Sequence, residues 1–270
     1  MRTREHASST PRQTRAGHGG RQELGQNFLV DRAAIDRFVA LAAATSGPIV
    51  ELGAGGGALT APLARLGRPL TALELDPGRA EALRRRFGPR VAVEQADVLR
   101  WRYPAAPHVV VGNVPFHLTT AILRSLLERP GWTDAVLLTQ WEAARRRCGV
   151  GGSSLLTAQS APWFEFALDG RVPARAFRPV PAVDAGLFSV RRRADPLVAP
   201  AERRGYCGFV AAVFRGRGRG LAQILTRTPR PMSPAQAKSW LARRGLARDV
   251  LPGRLTAEDW GALWGEVRRR

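Results

Sequence analysis

The chain has 270 residues, 44% hydrophobic and 24% charged, which is enough apolar material for a real core and excludes disorder of the whole chain. Its 42 Lys and Arg against 22 Asp and Glu leave a formal net charge of +20, a balance that points to a polyanionic partner, most often nucleic acid. Cys148 and Cys207 make neither a disulfide framework nor a metal spacing, no apolar run approaches the roughly 18 residues of a membrane span, and the charged N-terminus carries no apolar signal region; a cytoplasmic protein without a membrane segment is expected.

Lys238 is the single lysine, so nearly all the positive charge is arginine. A GC-rich genome explains arginine in place of lysine, but not the excess of base over acid. Residues 1–21 are polar, Gly-rich and basic without apolar periodicity, and read as a disordered basic arm. From Asp31, an N-cap, Ile35, Phe38, Val39 and Ala42 fall on one face of a helix. The run PIVELG (48–53) is a short buried strand. Leu59, Leu63 and Leu66 mark a helix, and LTALEL (70–75) a second strand. Asp76-Pro77 starts the next helix, continued by Ala80, Leu83 and Phe87.

A third strand is expected over 90–97, a fourth over 108–113, a helix over about 118–128 and a further strand over 134–140. Strands alternating with helices imply a parallel sheet covered on both faces. WFEFALDG and AGLFSVRRR, separated by a Pro-rich loop, read as an antiparallel addition at one edge. Composition then shifts. Residues 196–270 hold 15 Lys and Arg against 5 Asp and Glu, half of the net charge in little over a quarter of the chain. Phe209, Val210, Val213, Trp240, Leu241, Trp260, Leu263, Trp264 and Val267 have helical spacing there, so a small basic helical domain is expected, with Arg clusters at 215–219, 243–244 and 268–270.

VELGAGGGALT (50–60) follows a strand and opens a helix, and its glycines permit a tight turn and a close approach of backbone to ligand. Glu74, 21 residues beyond Gly53, can accept both hydroxyls of a ribose. Nicotinamide enzymes and S-adenosylmethionine enzymes both use this layout, so these residues predict nucleoside binding without choosing the cofactor. Asp97 ends the third strand, on the sheet edge where such folds bind ligands. It can accept from an exocyclic adenine amine, or equally cap the following segment.

Asn113-Val114-Pro115-Phe116 ends the fourth strand on the same edge. The Asn amide oxygen and a backbone carbonyl freed by the Pro turn can converge on one planar amine such as adenine N6, while Phe116 offers a face for the base. No hydride chemistry is suggested, and an ordinary strand-to-loop turn explains Pro and Asn better than it explains the phenyl ring. His117 starts the next helix rather than serving as a general base. No Ser/His/Asp or Cys/His constellation and no metal site is visible.

Taken together, QNFL (26–29), ELGAGGGALT, ELD (74–76), AD (96–97) and NVPF resemble the rRNA adenine N6-methyltransferase family, which includes the Erm 23S rRNA enzymes and the KsgA small-subunit dimethyltransferases. The resemblance runs in order over residues 22–193. NVPFHLT and GGSSLLT stand where the KsgA branch has NLPYNIS and YGRLS, which favours Erm. It implies an α/β fold, a class I (Rossmann-like) methyltransferase sheet over 22–195 that binds S-adenosylmethionine, with the basic helical domain following over 196–270. It further implies Asn27, Leu29, Gly53, Gly55, Glu74, Asp97 and Asn113 around the cofactor, with Glu74 on the ribose and Asp97 on the adenine. Asn113 and a backbone carbonyl of the turn, that of Val114 or of Pro115, would hold the target amine, with Phe116 and Phe177 stacking on either face of the flipped base. The implied partner is 23S rRNA before ribosome assembly is complete, the implied state a monomer, and the consequence resistance to macrolide, lincosamide and streptogramin B antibiotics. A small-subunit rRNA dimethyltransferase, a non-enzymatic assembly factor on the same fold and, more distantly, a nicotinamide oxidoreductase are the competing readings.

Overall fold

The β-branched runs become the inner strands of a sheet. In this computed structural model, which describes residues 27–269, β2 (Ile49–Leu52) is buried along its whole length and β5 (His108–Asn113) at all but its last residue. Apolarity on both faces is what a parallel strand covered by helices requires. In β5, Val109 and Val111 point into one core and Val110 into the other, the period-two alternation of a strand. The disordered arm expected over 1–21 lies outside the described residues.

The elements run β1 (Phe28–Leu29), α1 (Arg32–Ala43), β2, α2 (Thr60–Ala64), β3 (Leu70–Glu74), α3 (Pro77–Phe87), β4 (Ala92–Gln95), β5, α4 (Thr119–Glu128), β6 (Trp132–Gln140), α5 (Trp141–Arg147) and α6 (Leu155–Ser160). Then follow β7 (Phe164–Val172), β8 (Phe177–Arg178), β9 (Ala185–Arg192), α7 (Arg203–Arg215), α8 (Leu221–Leu225), α9 (Pro234–Arg243) and α10 (Ala257–Val267). The seven-stranded sheet has the order β4-β3-β2-β5-β6-β9-β7. β4 to β6 are parallel, with Val50 opposite Thr71 on one side and Val110 on the other. β9 is antiparallel to both β6 and β7, the edge addition that the sequence suggested.

Local chemistry sets the element ends. The Asp31 carboxylate accepts from the Ala34 amide at 2.8 Å and Asp76 from the Arg79 amide at 2.8 Å, each capping its helix. β4 is shorter than the expected 90–97, because Gly88–Arg90 first makes a single 3-10 turn. β6 starts earlier, at Trp132, whose indole is held by the Leu126 carbonyl. The short pair β1–β8 and helices α5 and α6 carry no periodicity long enough to read and emerge only in the structure.

The composition change at 195/196 is not a break in packing. Val50, Val110 and Phe188 of the sheet belong to one buried cluster with Tyr206, Trp260 and Trp264 of the C-terminal helices. The Tyr206 hydroxyl donates to the Ala158 carbonyl at 2.7 Å, and the Gln159 amide donates to the Cys207 carbonyl at 2.9 Å, stitching α6 to α7.

Candidate active site

After β2 the chain builds the sheet outward to one side through β3 and β4, then returns to place β5 on β2's other flank. Their carboxyl ends part at this switch point, where α/β sheets bind ligands. A cavity of about 270 Å³ lies there. Its floor is the 53–57 glycine turn, one wall is the 27–30 segment and another is Asn113 to Phe116.

The turn is shaped by contacts. A Cβ on Gly55, which has φ +56°, would sit 2.9 Å from the Phe28 ring, so the ring can lie against the turn only over glycine. Glu74, at the end of β3, accepts from the Gly55 amide at 2.7 Å and from the Asp76 amide at 2.9 Å. Phe28 is covered from outside by the Arg79 guanidinium, 4.9 Å from its centroid.

The Asn113 turn is equally tied down. Its side-chain amide donates to the Asn27 carbonyl at 2.8 Å, so the amide nitrogen is committed and the oxygen is left as an acceptor. The Pro115 carbonyl accepts from the Leu118 amide at 2.9 Å, starting the 3-10 turn Phe116–Leu118. Behind it, the Thr119 hydroxyl bonds the Phe116 carbonyl at 3.0 Å and also the Thr139 hydroxyl of β6. Phe116 is therefore held half-buried at the cavity rim, while His117 is exposed and does not line the cavity. Gly112 has a role of its own: a Cβ there would fall 2.8 Å from the Leu52 carbonyl, so only glycine lets β2 and β5 end side by side around the site.

The structure brings Asn27, Leu29, Gly53, Gly55, Asn113, Pro115 and Phe116 to this one cavity. Glu74 lies behind the glycine turn, 2% exposed, and Asp97 beyond it; neither is part of the lining. Asp97 accepts from the Leu99 amide at 2.9 Å, the capping role that the sequence left open. Phe177 is a correction. Its ring is wholly buried in the sheet-side core, with Leu29 opposite it across β1–β8, so it anchors the loop and presents no face to a base.

Glu51 is the residue that sequence reasoning missed. It lines the cavity, is 1% exposed and accepts from the Thr60 hydroxyl at 2.7 Å. Burial, with Glu74 nearby, pushes its carboxyl up to about 7 despite the Thr60 bond. The signal was present: a lone carboxylate inside the apolar run PIVELG. Leu75 was likewise passed over, an apolar side chain left 52% exposed directly after Glu74. Among the described residues no group of His, Cys, Asp and Glu could hold a metal ion, and no helix is long and apolar enough to cross a membrane.

Sheet order, glycine turn, buried acid after the second long strand and Asn-x-Pro-Phe turn define a Rossmann-like α/β methyltransferase. Residues 17–263 match the family described as ribosomal RNA adenine dimethylase. The chain is 52% identical over 212 residues to an rRNA adenine N-6-methyltransferase of Corynebacterium diphtheriae, covering 78% of this chain and 83% of that one. It is 46% identical to the mycinamicin-resistance protein MyrB of Micromonospora griseorubida, over 91% and 78% of the two chains. The crystal structure of the 23S rRNA methyltransferase ErmE superposes with a TM-score of 0.82 at 34% identity, over 90% of this chain and 100% of that one. The chain belongs to the ribosomal RNA adenine dimethylase family, and it is an rRNA adenine N6-methyltransferase.

Proposed function

We propose that the protein transfers methyl groups from S-adenosylmethionine to N6 of one adenosine in 23S rRNA, acting as a cytoplasmic monomer before ribosome assembly is complete, and thereby confers resistance to macrolide, lincosamide and streptogramin B antibiotics. The observation that carries this reading is the Asn113 amide, whose nitrogen is spent on Asn27 and whose oxygen is left free at the cavity beside Phe116. A base carrying a planar amine is what that oxygen and that ring can hold together. The choice of 23S rRNA and of macrolide-type drugs is supported by the likeness to ErmE and to a mycinamicin-resistance protein.

The residues present fit the cofactor. Glu74 has given one lone pair of each oxygen to a backbone amide, and the second pairs remain for ribose hydroxyls. Glu51 is a buried carboxylate suited to the methionine ammonium, and Leu75 an apolar face for the cofactor's adenine. One Asp97 oxygen caps Leu99, and the other, which holds only an exposed ion pair with Arg100 at 3.7 Å, can accept from that adenine's amine. Asn27 and Leu29 close the pocket from the strap that residues 27–30 form across it, and Gly53 and Gly55 let the backbone approach the methionine portion.

Bound S-adenosylmethionine supplies a methyl group activated by its sulfonium. The protein's task is to aim the amine at it. The Asn113 oxygen and a carbonyl of the turn accept the two N6 hydrogens. Val114 is the better carbonyl, because that of Pro115 already receives Leu118. Those bonds localise the nitrogen lone pair toward the methyl, and the N6 proton leaves to solvent after transfer, so no general base is required. Catalysis is then mostly positioning and preorganised electrostatics. The target base must be extruded from its stack to reach this depth, and Phe116 receives it.

Expression in a macrolide-sensitive bacterium tests the reading, with adenosine methylation mapped by reverse transcription on 23S and 16S rRNA. A modified 23S adenosine together with drug tolerance is expected. Modification confined to 16S rRNA would instead assign a small-subunit enzyme, and no methylation of either would leave an assembly factor.

A further inference from the structure

The C-terminal helices carry a surface that the active site does not use. From Arg203 to Arg248 the chain holds 11 Arg and Lys and not one Asp or Glu. Within it, residues 215–220 read RGRGRG and join α7 to α8. Each of the three glycines lies close against neighbouring atoms, Gly220 buried, Gly216 half-buried and Gly218 exposed. A Cβ on Gly216 would fall 2.5 Å from the Ile224 side chain, on Gly218 3.0 Å from the Gln223 Cβ, and on Gly220 2.6 Å from the Asp249 Cα. The arginines that alternate with them, Arg215 at the end of α7, Arg217 and Arg219, are all exposed, and among the described residues none makes an ion pair. The Arg227 guanidinium adds a fourth cation by donating to the Arg217 carbonyl at 3.3 Å.

Charge alone does not require this arrangement. A solvated loop would need neither glycine at each alternate position nor backbone pressed so close to its neighbours. Here the glycines pin the chain to the domain and leave the arginines as projections two residues apart, no more than about 7 Å between successive Cα atoms. Three long cations at that spacing, none of them paired with the neighbouring Asp249, suit consecutive phosphates of one nucleic-acid strand.

We infer that residues 215–219 form an arginine comb that grips the phosphate backbone of the rRNA substrate, away from the target base and without reading sequence. This rests on the methyltransferase reading for the identity of the RNA, but not for the contact itself. Such contacts hold the enzyme on its substrate and orient it, while the base is chosen at the Asn113 turn.

The test is the full-length chain carrying R215Q, R217Q and R219Q, against wild type, with poly(U) and a 23S rRNA transcript titrated at 50 to 200 mM salt. Neutralising three cations that each pair with a phosphate of a single strand should flatten the slope of log affinity against log salt by about 2. Over that range the wild type should lose about 20-fold more affinity than the variant. The triple Lys variant should keep the wild-type slope, and S-adenosylmethionine affinity should be unchanged in both. A Gln variant with the wild-type slope on both RNAs overturns the comb, including the case in which it loses affinity for polyglutamate and the partner is an acidic protein. Because poly(U) is no methylation substrate, that result is separable from a failure to methylate 23S rRNA.

Discussion

Asn113 divides one side-chain amide between two tasks, and the division explains why its neighbours matter. Its nitrogen is held by the Asn27 carbonyl, 86 residues earlier in the chain, so its oxygen is fixed as the end left to accept. Asn113→Ala should lower turnover at saturating RNA by roughly 10²-fold or more, the usual effect of removing a preorganised polar group, with RNA affinity nearly unchanged; near-normal turnover would remove Asn113 from the site. Phe116→Ala should lose the stacking contribution of about 1–3 kcal/mol, or roughly 5- to 150-fold, in single-turnover rate. Glu51 gives a pH prediction. Its folded-state carboxyl is raised from 4.5 to about 7, so wild-type stability falls as pH rises across that window. Glu51→Gln mimics the protonated form. In denaturant melts it should match wild type near pH 4.5 and exceed it by up to about 3 kcal/mol at pH 8, while weakening S-adenosylmethionine binding. An equal difference at both pH values would show that the carboxyl is not desolvated.

At the scale of elements, the site depends on two strand ends that must stop side by side. Gly112 is the contact point, against the Leu52 carbonyl. Gly112→Ala forces β2 and β5 apart just where Asn113 leaves the sheet. A loss of about 1–3 kcal/mol is expected in denaturant melts, typical of overpacking, together with a fall in methyl transfer. A variant with wild-type stability and rate would show that the strand ends have slack. The strap is the complementary element. β1 has two residues, yet it pairs with β8, lays Phe28 on the glycine turn and lends Asn27 to Asn113. One wall of the cavity and the support of the Asn113 turn are thereby built from the same few residues.

At the scale of the molecule, the basic helical domain is joined to the catalytic sheet by shared core. Tyr206 is buried between Trp163 and Trp264, and its hydroxyl reaches the Ala158 carbonyl across the composition boundary. Calorimetry should therefore show one unfolding transition for the whole chain. Tyr206→Phe should cost about 1–3 kcal/mol, because it leaves a buried carbonyl unsatisfied, and should move that single transition as a unit. Two separated transitions would mean that the domains fold independently. The positive charge sits on the outside of this joint structure, available to a large polyanion at several points.

Much of this was legible in the chain. The alternation of Val109, Val110 and Val111, the caps at Asp31 and Asp76 and the glycine turn after PIVEL are local signals, each decided by a few neighbouring residues, and they determine the order of strands and helices. The same holds for the chemistry of NVPF, because an amide, a rigid turn and a ring in sequence are also close in space. What only the tertiary structure decided are relations between distant residues. Phe177 reads as an aromatic on a loop, but pairing of β8 with β1 sends its ring into the core. Glu51 reads as one more strand residue, but closure of the switch point places its carboxylate in the cavity and strips it of water. The domain boundary reads as a change of composition, but packing of Tyr206 and the tryptophans carries one core across it. Local propensity acts over a turn or a strand, whereas burial, and with it pKa and access, is set by whichever part of the chain folds back on top.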